Sequence, residues 1–282
     1  MSYQAVFVFS KLKIIILLMA RKKHLQGIDE ADMEYIDEKM RGDSRIDSLA
    51  SGIIHYDYKV SIKCKNPKQK EFLKLLKDES KQIVAGIGSA GSGKSLISLA
   101  YAMNVVKPGG VGKYKHIICM VPTCPAGNMN IGFLKGTLEE KIEPYLEADT
   151  HTMEKILELS GNYSCRSTIM GLISNGVIKY ELVNFVRGKT FDNSLILVNE
   201  AENYSKEEML LILTRVGEGS KIILTGDLEQ CDRQDIKKSK NMCGLEYACE
   251  KLKDMEEFGS IEFFPEDVVR NPLITKILKN WK

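Results

Sequence analysis

The run Gly88-Ser89-Ala90-Gly91-Ser92-Gly93-Lys94-Ser95 constrains the fold more than any other part of the chain. The apolar stretch 82–87 leads into it as a buried strand would, and the stretch 94–106 leaves it with the character of a helix. Gly88, Gly91 and Gly93 allow the backbone N–H groups to turn inward on phosphate oxygens. Lys94 can reach β and γ oxygens, and the Ser95 hydroxyl can ligate magnesium at the helix N-terminus. By average composition this spelling arises by chance in about one chain in a hundred of this length. With its strand-turn-helix context it points to a bound nucleoside triphosphate, ATP with Mg2+, on an α/β fold.

The rest of the chain agrees with that architecture. From Asn66 a helix is expected, capped by Asn66, opened by Pro67 and packed through Phe72, Leu73 and Leu76. Short apolar runs follow at 116–121, 195–198, 221–225 and 261–264, with helical stretches between them, including 138–146 and 206–216. Such alternation indicates a mostly parallel sheet with helices on both faces. Ser205 and Glu208 have the spacing of a capping box and fix the start of the helix at Lys206. The expected organisation is an N-terminal arm at 1–65, rich in charge from residue 21, and one nucleotide-binding domain at 66–282.

Composition excludes several other classes. With 40 basic and 38 acidic residues the net charge is +2, so any nucleic-acid site has to be a local patch, such as Lys63 to Lys70 or Lys237, Lys238 and Lys240. Seven cysteines without a CxxC pair fit a reducing, cytoplasmic interior, and four histidines show no metal-ligand spacing. The apolar run from Ile14 to Ala20 follows Lys11 and Lys13 and is too short for the roughly 20 residues of a membrane helix. No membrane partner is expected. Residues 1–18 read as an upstream extension of the frame, with Met19 as the natural start.

Two further strand ends carry chemistry. Leu195-Ile196-Leu197-Val198 ends in Asn199-Glu200, where a phosphate-loop site needs a carboxylate for magnesium and a glutamate that orients water. Glu200 supplies the second. Asn199 can accept a hydrogen bond from metal-bound water but brings no charge. The strand from Lys221 ends in Thr225-Gly226-Asp227, with Gln230 beyond; Asp227 and Gln230 are either γ-phosphate sensors or parts of an ordinary turn.

Taken together, these motifs resemble the PhoH-like family of P-loop proteins from about Asn66 to the C-terminus. The matching elements are Asn66-Pro67-Lys68-Gln69, the glycine-rich loop, Ile131-Gly132-Phe133-Leu134-Lys135-Gly136, Glu200-Ala201-Glu202-Asn203, Ser220 to Gln230, and Asp267-Val268-Val269-Arg270-Asn271-Pro272. The resemblance implies a single RecA-like core like the first domain of superfamily 1 helicases, ATP binding and hydrolysis, and a link to RNA. It also implies roles for single residues. Gln69 would read adenine or stand as a solvated residue, and Arg270 would meet a γ-phosphate in its own subunit or across a homo-oligomeric ring. Arg187 would touch phosphate or nucleic acid.

This sequence departs from the family pattern in three places. Asn199 replaces the usual aspartate, Glu202 the usual glutamine, and Val121 an arginine before Pro122. These changes set a Mg-dependent ATPase, with Glu200, Gln230 and Arg270 catalytic, against a weakened nucleotide-binding switch or nucleic-acid-binding module. A small-molecule phosphotransferase shares the loop but lacks the elements around Gln69 and Thr225.

Overall fold

A computed structural model describes residues 58–106, 112–122, 138–231, 233 and 242–269. The arm up to residue 57, the 131–136 element, the lysines at 237, 238 and 240, and Arg270 with everything after it lie outside the described residues.

In chain order the main elements are α1 (Pro67–Lys77), β1 (Ile83–Gly88), α2 (Lys94–Val105), β2 (His116–Val121), α3 (Leu138–Leu159), α4 (Cys165–Ser174), β3 (Ile178–Leu182), β4 (Ser194–Val198), α5 (Lys206–Leu213), β5 (Lys221–Gly226), α6 (Gly244–Leu252) and β6 (Phe258–Phe263). The six strands form one sheet in the order β3-β2-β4-β5-β1-β6. Every pairing is parallel.

Strand alternation divides the core into two layers. Val84, Ile117, Cys119, Leu195, Leu197 and Ile223 face α1, α2, α3 and α4, which contribute Phe72, Leu99, Ile156 and Ile169. Their neighbours Ala85, Ile118, Ile196, Val198, Ile222 and Leu224 face Met209 and Ile212 of α5 and Leu245 of α6. Both faces are therefore covered, which explains why β4 and β5 are buried along their whole length instead of alternating. The expected α/β architecture holds, with a sheet that is wholly parallel.

Local signals account for most junctions. Asn66 accepts from the Gln69 N–H and caps α1, with Phe72 and Leu76 fully buried beneath it. The Ser205–Glu208 capping box is present in both directions at α5. Other boundaries differ from expectation. Helix α3 runs to Leu159 and tolerates Pro144 inside it, α5 stops at Leu213, and the edge strand β3 and helix α4 were not anticipated.

The packed body also begins before Asn66. The Tyr58 hydroxyl, buried against α2, donates to the carbonyls of Met103 and Val106 at 2.9 and 3.1 Å. Val60 and Ile62 lie on the core, and the N–H groups of Lys59 and Ser61 donate to Asn162 and Ser160.

Candidate functional site

All the motif residues that the structure describes around the loop sit outside the carboxyl ends of the strands, where ligands bind in open parallel sheets. The glycine-rich loop leaves β1, Asn199 and Glu200 leave β4, and Asp227 leaves β5. Strand β5 lies between β1 and β4. It pairs Thr225 with Gly86 on one side and Leu224 with Val198 on the other.

The loop conformation requires its glycines. Gly88, Gly91 and Gly93 all have positive φ, at 116°, 86° and 90°. A Cβ on Gly88 would come within 1.9 Å of the Phe263 carbonyl oxygen, and one on Gly93 within 2.9 Å of Gln69 Nε2. Inside this turn the Lys94 ammonium donates to the carbonyl of Gly88 at 2.5 Å, to that of Ser89 at 2.9 Å and to Ser92 Oγ at 3.3 Å. Ser95 is exposed in the first turn of α2. An ammonium, a hydroxyl and a glycine-lined turn at a helix N-terminus are the donor set that phosphate oxygens and a hard cation require.

Three braces hold the loop from outside. Asp227 Oδ2 accepts from the Ala90 N–H at 3.0 Å, and its Oδ1 accepts from Glu229 N–H. Gln69, only 4% exposed, donates through Nε2 to the Ser92 carbonyl at 2.7 Å and accepts from the Lys65 N–H at 2.7 Å. The segment after β6 closes the third side. Val269 N–H donates to the Gly91 carbonyl, Ser89 N–H to Phe263, and Asn66 Nδ2 to the Asp267 carbonyl at 2.8 Å. Gln69 and Asp227 thus stand beside the loop with acceptors and donors engaged in shaping it. These bonds use one of the two Nε2 donors and one of the two Oε1 lone pairs of Gln69.

At the end of β4 the chain turns sharply, and Glu200 takes a left-handed conformation with φ 50°. Its side chain is exposed, as is that of Gln230 after β5. Asn199 is fixed at both ends of its amide. Its Oδ1 accepts from Thr225 Oγ1 at 2.8 Å, and its Nδ2 donates to Asp149 Oδ1 on α3 at 3.1 Å. Burial raises the Asp149 carboxyl to about 6, against hydrogen bonds from Asn199 and Cys119 that lower it and the Glu200 charge that raises it further. Glu202, on the other side of the turn, is 4% exposed and accepts from the Asp227 N–H at 3.0 Å. Burial pushes its carboxyl up to about 7, with Glu200 and Asp227 adding to the rise.

Not every expected residue joins this cluster. Arg187 is exposed beyond β3, and β2, β4 and β5 stand between β3 and the loop strand. Four strand spacings amount to roughly 19 Å. Val121, where the family pattern has arginine, is buried against Leu182 in a small apolar cluster. Asp149 was missed by sequence reasoning. Its signal is a carboxylate four residues before the buried Met153, on the inward stripe of α3.

The family of PhoH-like proteins matches residues 61–282. The chain belongs to the PhoH-like family. A PhoH-like protein of Bacillus subtilis (strain 168) is 32% identical over 266 residues, covering 94% of this chain and 73% of the relative. Protein PhoH2 of the same organism is 34% identical, covering 71% of this chain and 44% of its own length. Protein PhoH of Escherichia coli (strain K12) is 32% identical, covering 77% and 57% respectively. The chain therefore spans about half the length of the latter two relatives. Among solved structures, the Pif1 helicase from Bacteroides in complex with ADP-AlF3 and ssDNA matches 78% of this chain and 46% of its own, at 13% identity and a TM-score of 0.37. As a PhoH-like protein the chain has a P-loop NTPase core, and among the described residues no helix is long and apolar enough to cross a membrane.

Proposed function

We propose that the chain binds ATP with magnesium at the loop 88–95 and hydrolyses it in the cytoplasm, with RNA as the partner that the family resemblance suggests. The observation that carries the reading is the Lys94 ammonium, held by the carbonyls of Gly88 and Ser89 at the head of α2 while Glu200 and Asp227 reach the same edge from β4 and β5. In this reading Lys94 exchanges those carbonyls for phosphate oxygens, and Ser95 and Asn199 face the cation. A magnesium ion held there would supply neutralisation of the triphosphate charge. Glu200 polarises the attacking water, and Asp227 keeps the loop in register through Ala90. Gln230, and Arg270 from its own or a neighbouring subunit of a ring, respond to the γ-phosphate. Cations available to RNA on and beside α1 include Lys63, Lys65 and Lys70, all exposed.

A second reading, a nucleotide-gated switch that does not turn over, is favoured by Asn199 and Val121 standing where the family pattern carries a charge. Phosphate release from purified protein, with and without RNA, separates the two. The ATPase reading expects magnesium-dependent release that Lys94→Ala abolishes. Release no faster than in that variant, under both conditions, would leave the switch.

A further inference from the structure

We infer that Asp149, projected from α3, supplies the negative charge that Asn199 lacks at the end of β4, and acts as a positioning residue behind the magnesium face of the site. The inference rests on the ATP–magnesium reading above and adds a residue from outside its motifs.

The placement follows from the sheet. Leu195 and Leu197 of β4 face the layer covered by α2 and α3, and Asn199 follows at the same parity, towards the helix that begins with Lys94 and Ser95. Thr225 sits one strand nearer the loop, opposite Gly86. A row of side chains therefore crosses the sheet above its carboxyl edge: Thr225 Oγ1 donates to Asn199 Oδ1 at 2.8 Å, and Asn199 Nδ2 donates to Asp149 Oδ1 at 3.1 Å. The second bond orients the amide, directing its N–H to the carboxylate and leaving its oxygen to Thr225 and to whatever lies before the strand end.

A carboxylate at 199 would perform both tasks at once, accepting from Thr225 and bringing the charge. Here the tasks are divided between two residues fifty positions apart. The charge lies one hydrogen bond further back, as in outer shells that orient and tune the inner one. Among the described residues, the groups acting on or acted on by the Asp149 carboxyl include Asn199, the Cys119 thiol, the Tyr180 hydroxyl and the Glu200 carboxylate, with no cation among them. A plain helix-to-strand tie would be made equally well by an amide at 149.

The test is a magnesium titration of fluorescent ATP-analogue binding to the full chain, with EDTA as the metal-free arm and a melting curve for each variant. Asp149→Asn should weaken the apparent magnesium affinity by about 10- to 100-fold while leaving binding in EDTA unchanged. The exchange variant Asp149→Asn with Asn199→Asp moves the charge back to the strand end and should recover wild-type magnesium affinity. If Asp149→Asn titrates as wild type, or if the exchange recovers nothing, the inference is overturned and the contact is a structural tie. Should Asp149→Asn melt early and lose binding in EDTA as well, the exchange variant decides by the same criterion. Wild-type protein that binds the analogue no better than Lys94→Ala would overturn the ATP reading, and this inference with it.

Discussion

Replacing Glu202 by glutamine should stabilise the protein at neutral and alkaline pH and do little in acid. The carboxyl is buried beneath the turn after β4, accepts from the Asp227 N–H at 3.0 Å, and is raised from 4.5 to about 7 chiefly by burial. Because the folded value lies above the unfolded one, the unfolded chain releases this proton first as pH rises. Stability is therefore fully present below about 4.5 and is lost as pH rises through about 7. At about 1.4 kcal/mol per unit, the loss by pH 8 is about 3 kcal/mol. Glutamine keeps the acceptor for Asp227 and never ionises. Urea unfolding at pH 5 and pH 8 should show the Gln variant gaining about 2 to 3 kcal/mol on wild type between the two, a midpoint shift of about 1 M. A constant difference at both pH values, or a variant less stable at pH 8, would refute the burial argument.

Two other substitutions test the frame. Gly88→Ala places a Cβ against the Phe263 carbonyl at a φ of 116° and should cost about 2 kcal/mol or more in urea while disordering the loop that Lys94 lines. Tyr58→Phe removes the hydroxyl that donates to Met103 and Val106 and should lower stability by about 1 to 3 kcal/mol, which tests whether the body of the fold starts before Asn66.

What could be read from the sequence was local. The loop, the Asn66 and Ser205 caps and the central strands each declare themselves within a few residues, and they are found within a residue or two of expectation. Edge strand β3 escaped because Lys179 and Glu181 interrupt its apolar character, and α3 was cut short because the polar run Asp149-Thr150-His151-Thr152 masks its inward stripe beyond Leu146. The start of the packed body was misplaced because Val60, Ile62 and Cys64 alternate with exposed Lys59, Ser61, Lys63 and Lys65 over a stretch too short to read as buried. The site was legible residue by residue but not as a set of partners. That Asn199 has a carboxylate beside it depends on a helix and a strand fifty residues apart meeting over the sheet. That Gln69 and Asp227 brace the loop depends on tertiary hydrogen bonds to Ser92 and Ala90.

The central claim is that Lys94 and its glycine-rich turn bind a triphosphate. Calorimetric titration of ATP with magnesium into wild-type protein and Lys94→Ala addresses it without any assumption about turnover. One saturable site should appear in the wild type and weaken by at least tenfold in the variant, since a charge-assisted hydrogen bond contributes about 1.5 to 3 kcal/mol. Equal affinity in the two proteins, or no binding to either, would contradict the account.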